Sequence, residues 1–200
     1  MRNVIQSSPP RALLAGSSLA VFLAIGHTVI DTFTSMLTAL LPTIQARFGM
    51  TESVLALLIA MLSFSTSVTQ PLMGTLSDRF GMRLVGAVGI VLNVSLLSLI
   101  GVAPTVPLLF ALLFIGGLGS AAFHPAGTSM ARAAGSRHKG LAVSLFGAGG
   151  TLGLALGPVI VLSVVSTFGL SFTVLPLLAV DNSETSGRSL TPRWSCISCT

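Results

Sequence analysis

Charge is what this sequence has least of. Only 8% of its 200 residues are Asp, Glu, Lys or Arg, against about 25% in soluble domains. Mean hydropathy is +0.94, so a soluble globule of this size would have too little polar surface to cover it. Tyrosine is absent and tryptophan occurs once. No basic stripe with interleaved aromatics exists, and the ten basic residues are scattered between apolar blocks. The net charge of +5 therefore reads as loop charge that orients a chain in a bilayer, and nucleic acid is excluded as a partner. Both cysteines, Cys196 and Cys199, lie in the last five residues, which excludes a disulfide scaffold. No second cysteine pair completes a zinc site there. HExxH is absent and no nucleophile stands beside a base, so the sequence does not read as an enzyme and implies no cofactor.

What the sequence has is long apolar blocks. They show none of the period-2 alternation of a membrane barrel, so the fold class is all-α, a polytopic transmembrane helix bundle. Residues 1–12 form a basic N-terminal segment. The stretch after it is too long for the core of a signal peptide and reads as a first span. Helices are expected over 13–41 (ending at Pro42), 52–73, 84–103, 107–130 and 141–166, each about 20 residues or longer and able to cross about 30 Å of hydrocarbon. Arg2 and Arg11, Arg79 and Arg83, and Arg132, Arg137 and Lys139 fall on one side, whereas Arg47 stands alone on the other. The positive-inside rule puts the N-terminus in the cytoplasm.

A sixth apolar run, LSFTVLPLLAV, is only 11 residues long. It is followed at 181–200 by a polar stretch holding both cysteines, the tryptophan and two of the five acids. The expectation is five full helices plus a shortened sixth over 13–180, with 181–200 an atypical tail from a truncated or frame-shifted end.

Within the first span, AIGHTVIDTFTSMLTALLP carries His27 and Asp31. Four residues apart on a helix, they share one face. An ionised Asp at a helix centre costs about 2.5–3.5 kcal/mol, so such a group faces a cavity or a partner. Desolvation disfavours the charged form of either residue, and the pair can exchange a proton at modest cost when access alternates. Helix 4 adds His124, followed by Pro125, which frees a carbonyl one turn back and kinks the helix. Ser63, Ser67 and Gln70 share a face of helix 2 and are candidates to line a central path, as is Asn93 on helix 3. The spacing of His27, Asp31 and His124 is not diagnostic of a metal site.

Between helices 2 and 3 stands GTLSDRFGMR. Gly74 permits close helix approach, and Gly81 permits a left-handed turn. Asp78 can face a helix N-terminus, while Arg79 and Arg83 hold the turn on the water side. Helix 5 carries Gly149, Gly153 and Gly157 at four-residue spacing, then Pro158, a pattern for close helix packing with a bend.

The 74–83 stretch resembles the signature loop of the major facilitator superfamily, with Met82 replacing the usual first basic residue. That resemblance covers residues 12 to 180 and implies the N-terminal six-helix half of a rocker-switch transporter, with this loop latching its cytoplasmic side. The Gly–Pro of helix 5 is similar to an antiporter motif of the family. The helix-4 arginine of many proton-coupled members is absent, with Leu113 or a neighbour in its place. Together, G-H-x-x-x-D at Gly26, His27 and Asp31 and F-H-P-A-G at Phe123 to Gly127 resemble the fosmidomycin resistance branch. What that implies is export of a small anionic or amphipathic drug in exchange for protons, across the inner membrane. A second six-helix half or a second copy would supply the other wall. The alternative is a non-transporting half or membrane assembly module.

Overall fold

The computed structural model describes residues 10–135, 138–170 and 173, with side chains from residue 18 onward. All elements among these residues are helical: α1 (Pro10–Phe48), α2 (Glu52–Ser63), a π-helical segment (Phe64–Val68), α3 (Gln70–Phe80), α4 (Met82–Ser98) with a 3-10 turn (Leu99–Val102), α5 (Val106–Ala134) and α6 (Lys139–Phe168). Four helices are each long and apolar enough to cross a membrane. The α2–π–α3 unit, bent by 42° at its break, is long and apolar enough for a fifth when counted as one piece. The expected tail at 181–200 and most of the sixth segment lie outside the described residues.

Two boundaries differ from expectation by about two helical turns. Helix 1 does not end at Pro42 but runs on to Phe48. Pro42 forfeits one backbone bond, but Leu37, Leu40 and Ile44 on either side of it are all buried, and burial of that apolar face outweighs one missing donor. Helix 2 likewise continues past residue 73 to Phe80. Apolar runs stop at the membrane face, but a helix continues into water until a residue breaks it. That residue is Gly81, at φ 92° and ψ 130°, a conformation only glycine adopts without strain. The loop expected at 74–83 is therefore one glycine between two helices. Its Asp78, Arg79 and Arg83 are exposed, and Gly74 is half-buried on α3.

The bend in the second span has a sequence cause. Pro71 sits in the first turn of α3 and cannot donate to the carbonyl one turn back. The π-helical segment before it turns Ser65 wholly inward, against Gly117 of α5. A Cβ at position 117 would collide with the Ser65 hydroxyl.

Glycines also set the other crossings. Gly89 of α4 and Gly119 of α5 lie backbone to backbone, a Cβ on either falling 2.6 Å from the other's carbonyl oxygen. On α6, Gly149, Gly153 and Gly157 seat successive turns on the α1 backbone at Ala24, Thr28 and Thr32. Thr28 Oγ1 donates to the Gly149 carbonyl at 2.8 Å. A larger apolar core, including Leu37, Leu40, Leu58, Leu97 and Leu113, fills one end of the bundle. A smaller one, around Ile30, Phe123 and Phe146, fills the other.

Candidate functional site

His27, Asp31 and His124 meet in one place. The first two come from adjacent turns of α1 and the third from α5, 97 residues further along than His27. His27 Nε2 lies 3.2 Å from Asp31 Oδ2, His124 Nε2 lies 3.4 Å from Asp31 Oδ1, and the two Nε2 atoms are 3.1 Å apart. His27 and Asp31 are buried, while the His124 side chain keeps 25% of its exposure. The trio is therefore reached from the His124 side.

The other nitrogen of each ring is committed. His27 Nδ1–H donates to the Phe146 carbonyl of α6 at 2.7 Å. His124 Nδ1–H donates to the Ser120 carbonyl at 2.7 Å. A carbonyl only accepts, so both Nδ1 atoms carry hydrogen, and in neutral rings both Nε2 atoms bear lone pairs. Two lone pairs and an ionised carboxylate would then converge with no hydrogen between them. An arrangement of acceptors alone is repulsive, and unsatisfied buried polar groups are costly. A bridging positive charge removes the conflict. A single proton on either Nε2 gives one imidazolium, one neutral imidazole and one carboxylate at zero net charge, with the new N–H shared between the other ring nitrogen and the carboxylate.

Packing fixes the rings. His27 stacks on Phe146 at 4.1 Å between centroids, and Phe123 lies 6.1 Å from it. Gly150 of α6 leaves the space: a Cβ there would come within 2.7 Å of both His27 Nε2 and Asp31 Oδ2. Pro125, next to His124, packs beside Gly74 of α3. Between α1, α4 and α5 opens an apolar cleft of about 690 Å³, lined by Phe22, Gly26, Ile90, Phe123 and Met130, with Arg83 as its one charged side chain; none of the trio lines it.

The other candidates stand apart from the trio. Ser63 and Ser67 are exposed, and half-buried Gln70 donates to the Thr66 carbonyl. Asn93 is wholly buried and donates to Thr34 Oγ1 of α1 and the Gly116 carbonyl of α5, both at 3.2 Å. It acts as an interhelical tie. Pro158 lies inside α6, one residue beyond the glycine seat. Sequence reasoning missed Phe146, Ser120 and Gly150. The first two contribute backbone carbonyls, which leave no mark in a sequence. Gly150 left one, as a second glycine breaking the four-residue period at Gly149.

The profile of the Major Facilitator Superfamily matches residues 23–180. The chain is 29% identical to the Fosmidomycin resistance protein of Escherichia coli (strain K12) over 163 residues, covering 79% of this chain and 40% of that protein. It is 31% identical to the Uncharacterized MFS-type transporter YfnC of Bacillus subtilis (strain 168) over 168 residues, covering 81% of this chain and 41% of that protein. The chain thus spans about 40% of the length of these curated relatives. With four helices long and apolar enough to cross a membrane and that match, this is a membrane protein that belongs to the Major Facilitator Superfamily of transporters.

Proposed function

We propose that this chain forms the N-terminal wall, residues 13–180, of a proton-coupled exporter of small molecules, with the His27–Asp31–His124 trio as its proton site. One observation carries the reading: three acceptors converge, and an added positive charge relieves their mutual repulsion. A proton is the smallest such charge. Loading it requires access from one side and releasing it requires access from the other, which is how alternating access couples an ion to a substrate. The likeness to a relative named Fosmidomycin resistance protein supports efflux of a drug as the transported class. The cleft between α1, α4 and α5, apolar with one arginine, suits a small amphipathic anion.

The protein in this reading sits in the cell (inner) membrane, and the side on which the basic residues cluster supports a cytoplasmic N-terminus. In this reading Gly74, Asp78, Arg79, Gly81 and Arg83 form the cytoplasmic gate. The opposite wall comes from a second six-helix half or a second copy, against the broad apolar face of α6 that exposes Leu145, Leu152 and Leu156.

Reconstitution of the chain in vesicles with an imposed pH gradient tests this. Fosmidomycin-dependent proton flux is expected, falling to background in Asp31→Asn. Flux that persists in Asp31→Asn refutes the trio as the proton site. A folded chain with no flux favours a non-transporting assembly module.

A further inference from the structure

The same lone-pair geometry fits a second kind of positive charge. We infer that His27, Asp31 and His124 form a binding site for a divalent transition-metal ion of the zinc class. A tetrahedral zinc with bonds of about 2.0–2.1 Å holds its ligand atoms about 3.3–3.4 Å apart. The separations here are 3.1 Å between the two Nε2 atoms and 3.2 and 3.4 Å from them to the carboxylate oxygens. The carboxylate straddles the two rings, so a modest turn about its own axis sets one oxygen on the ion. One ligand atom from each residue already lies within 4.8 Å of the other two.

A second, independent feature is the state of the ring nitrogens. Metal-bound histidines characteristically donate their other ring N–H to a carbonyl or carboxylate, which fixes the tautomer and aims the lone pair. Both rings do this here, to the carbonyls of Phe146 and Ser120 at 2.7 Å each. Three protein ligands leave a fourth position, and it faces the His124 side, where the trio is accessible. Water or a small anion would complete the shell there, as at zinc sites with an open position. Two imidazoles and one carboxylate select Zn²⁺, Co²⁺ or Ni²⁺ over Mg²⁺ and Ca²⁺, which require oxygen shells.

An ion so held ties α1 to α5 and occupies the space a shared proton would take, so it would block any exchange through the trio. The binding itself stands on ligand geometry and is read without transport, so it succeeds or fails separately from the exporter reading.

The experiment is a Co²⁺ titration of the whole chain in detergent, carried on a tag without histidines. The background is Cys196→Ser/Cys199→Ser with His138→Gln, which removes the C-terminal thiols and the exposed histidine as competing ligands. One equivalent of Co²⁺ with intense visible bands of tetrahedral type is expected, displaced by Zn²⁺ and not by Mg²⁺. His124→Gln and His27→Gln each weaken binding by roughly 100-fold or more, beyond the 10–100-fold that outer-shell changes cost. Far-UV circular dichroism confirms folding, and His124→Gln, the less buried position, is decisive if His27→Gln does not fold. Absence of the tetrahedral bands in folded background protein overturns the inference. So does unchanged affinity in His124→Gln, or displacement by Mg²⁺.

Discussion

Gly150→Ala isolates the packing that assembles the trio. The added Cβ would lie 2.5 Å from His27 Cε1, 2.6 Å from His27 Nε2 and 2.7 Å from Asp31 Oδ2. All three separations are far inside van der Waals contact. His27 cannot swing aside freely, because Nδ1 is bound to the Phe146 carbonyl and the ring is stacked on Phe146. Nor can α6 retreat from α1 locally, since Gly149 and Gly153 seat it on the Ala24 and Thr28 backbone. Overpacking of this kind costs about 1–3 kcal/mol. Replacing a helical glycine by alanine also gains up to about 1 kcal/mol from helix propensity, which would blur the result. Gly147, three residues earlier on the same helix, has nothing within 4 Å of its built Cβ. Gly147→Ala therefore takes the propensity gain without the clash. Subtracting the two variants leaves the steric part alone, an expected difference of about 1–3 kcal/mol. Equilibrium unfolding in mixed detergent micelles, followed by circular dichroism, measures it. Equal stabilities for the two variants would refute the geometry of the trio.

Other outcomes follow from single contacts. Asn93→Ala loses two hydrogen bonds, to Thr34 and the Gly116 carbonyl. One buried oxygen that has no partner, Asn93 Oδ1, goes with it, so the net loss in the same unfolding assay is about 1–2 kcal/mol. Gly81→Ala places a side chain at φ 92° in open space. Backbone strain alone then destabilises the chain by about 1–3 kcal/mol, and Gly81→Asn is expected to suffer equally, because asparagine tolerates positive φ mainly at ψ of about 50° and not at the ψ of 130° found here. Arg47 Nη1 donates to the Gly101 carbonyl at 2.6 Å from an exposed position. Arg47→Ala is accordingly expected to cost under about 1 kcal/mol, with hydrogen exchange rising mainly in the 3-10 turn at Leu99–Val102.

Much of the architecture was legible because it rests on local properties. Span number came from apolar run length, and the break at Gly81 from the only residue type that turns there easily. The Gly149–Gly153–Gly157 ladder announced a close helix contact but not its partner, since a spacing names a face and not what lies against it. Ser63, Ser67 and Gln70 illustrate the converse. Their shared face was inferred from an undistorted helix, whereas the π-helical segment shifts the register between Ser63 and Gln70 and turns Ser65 inward. Asn93 was legible as a polar group in an apolar span, and only its partners distinguish an interhelical tie from a cavity wall.

The sequence by itself determined that the chain lives in a bilayer, which segments cross it, and that His27 and Asp31 face one direction. Run length, charge placement and the pitch of a helix are all properties of contiguous residues. Tertiary structure alone decided that His124 completes the pair, that backbone carbonyls of Phe146 and Ser120 dictate where the ring lone pairs point, and that Gly150 makes the room. Those relations depend on how closely α1, α5 and α6 approach, a distance set by packing between remote segments and not by any local preference.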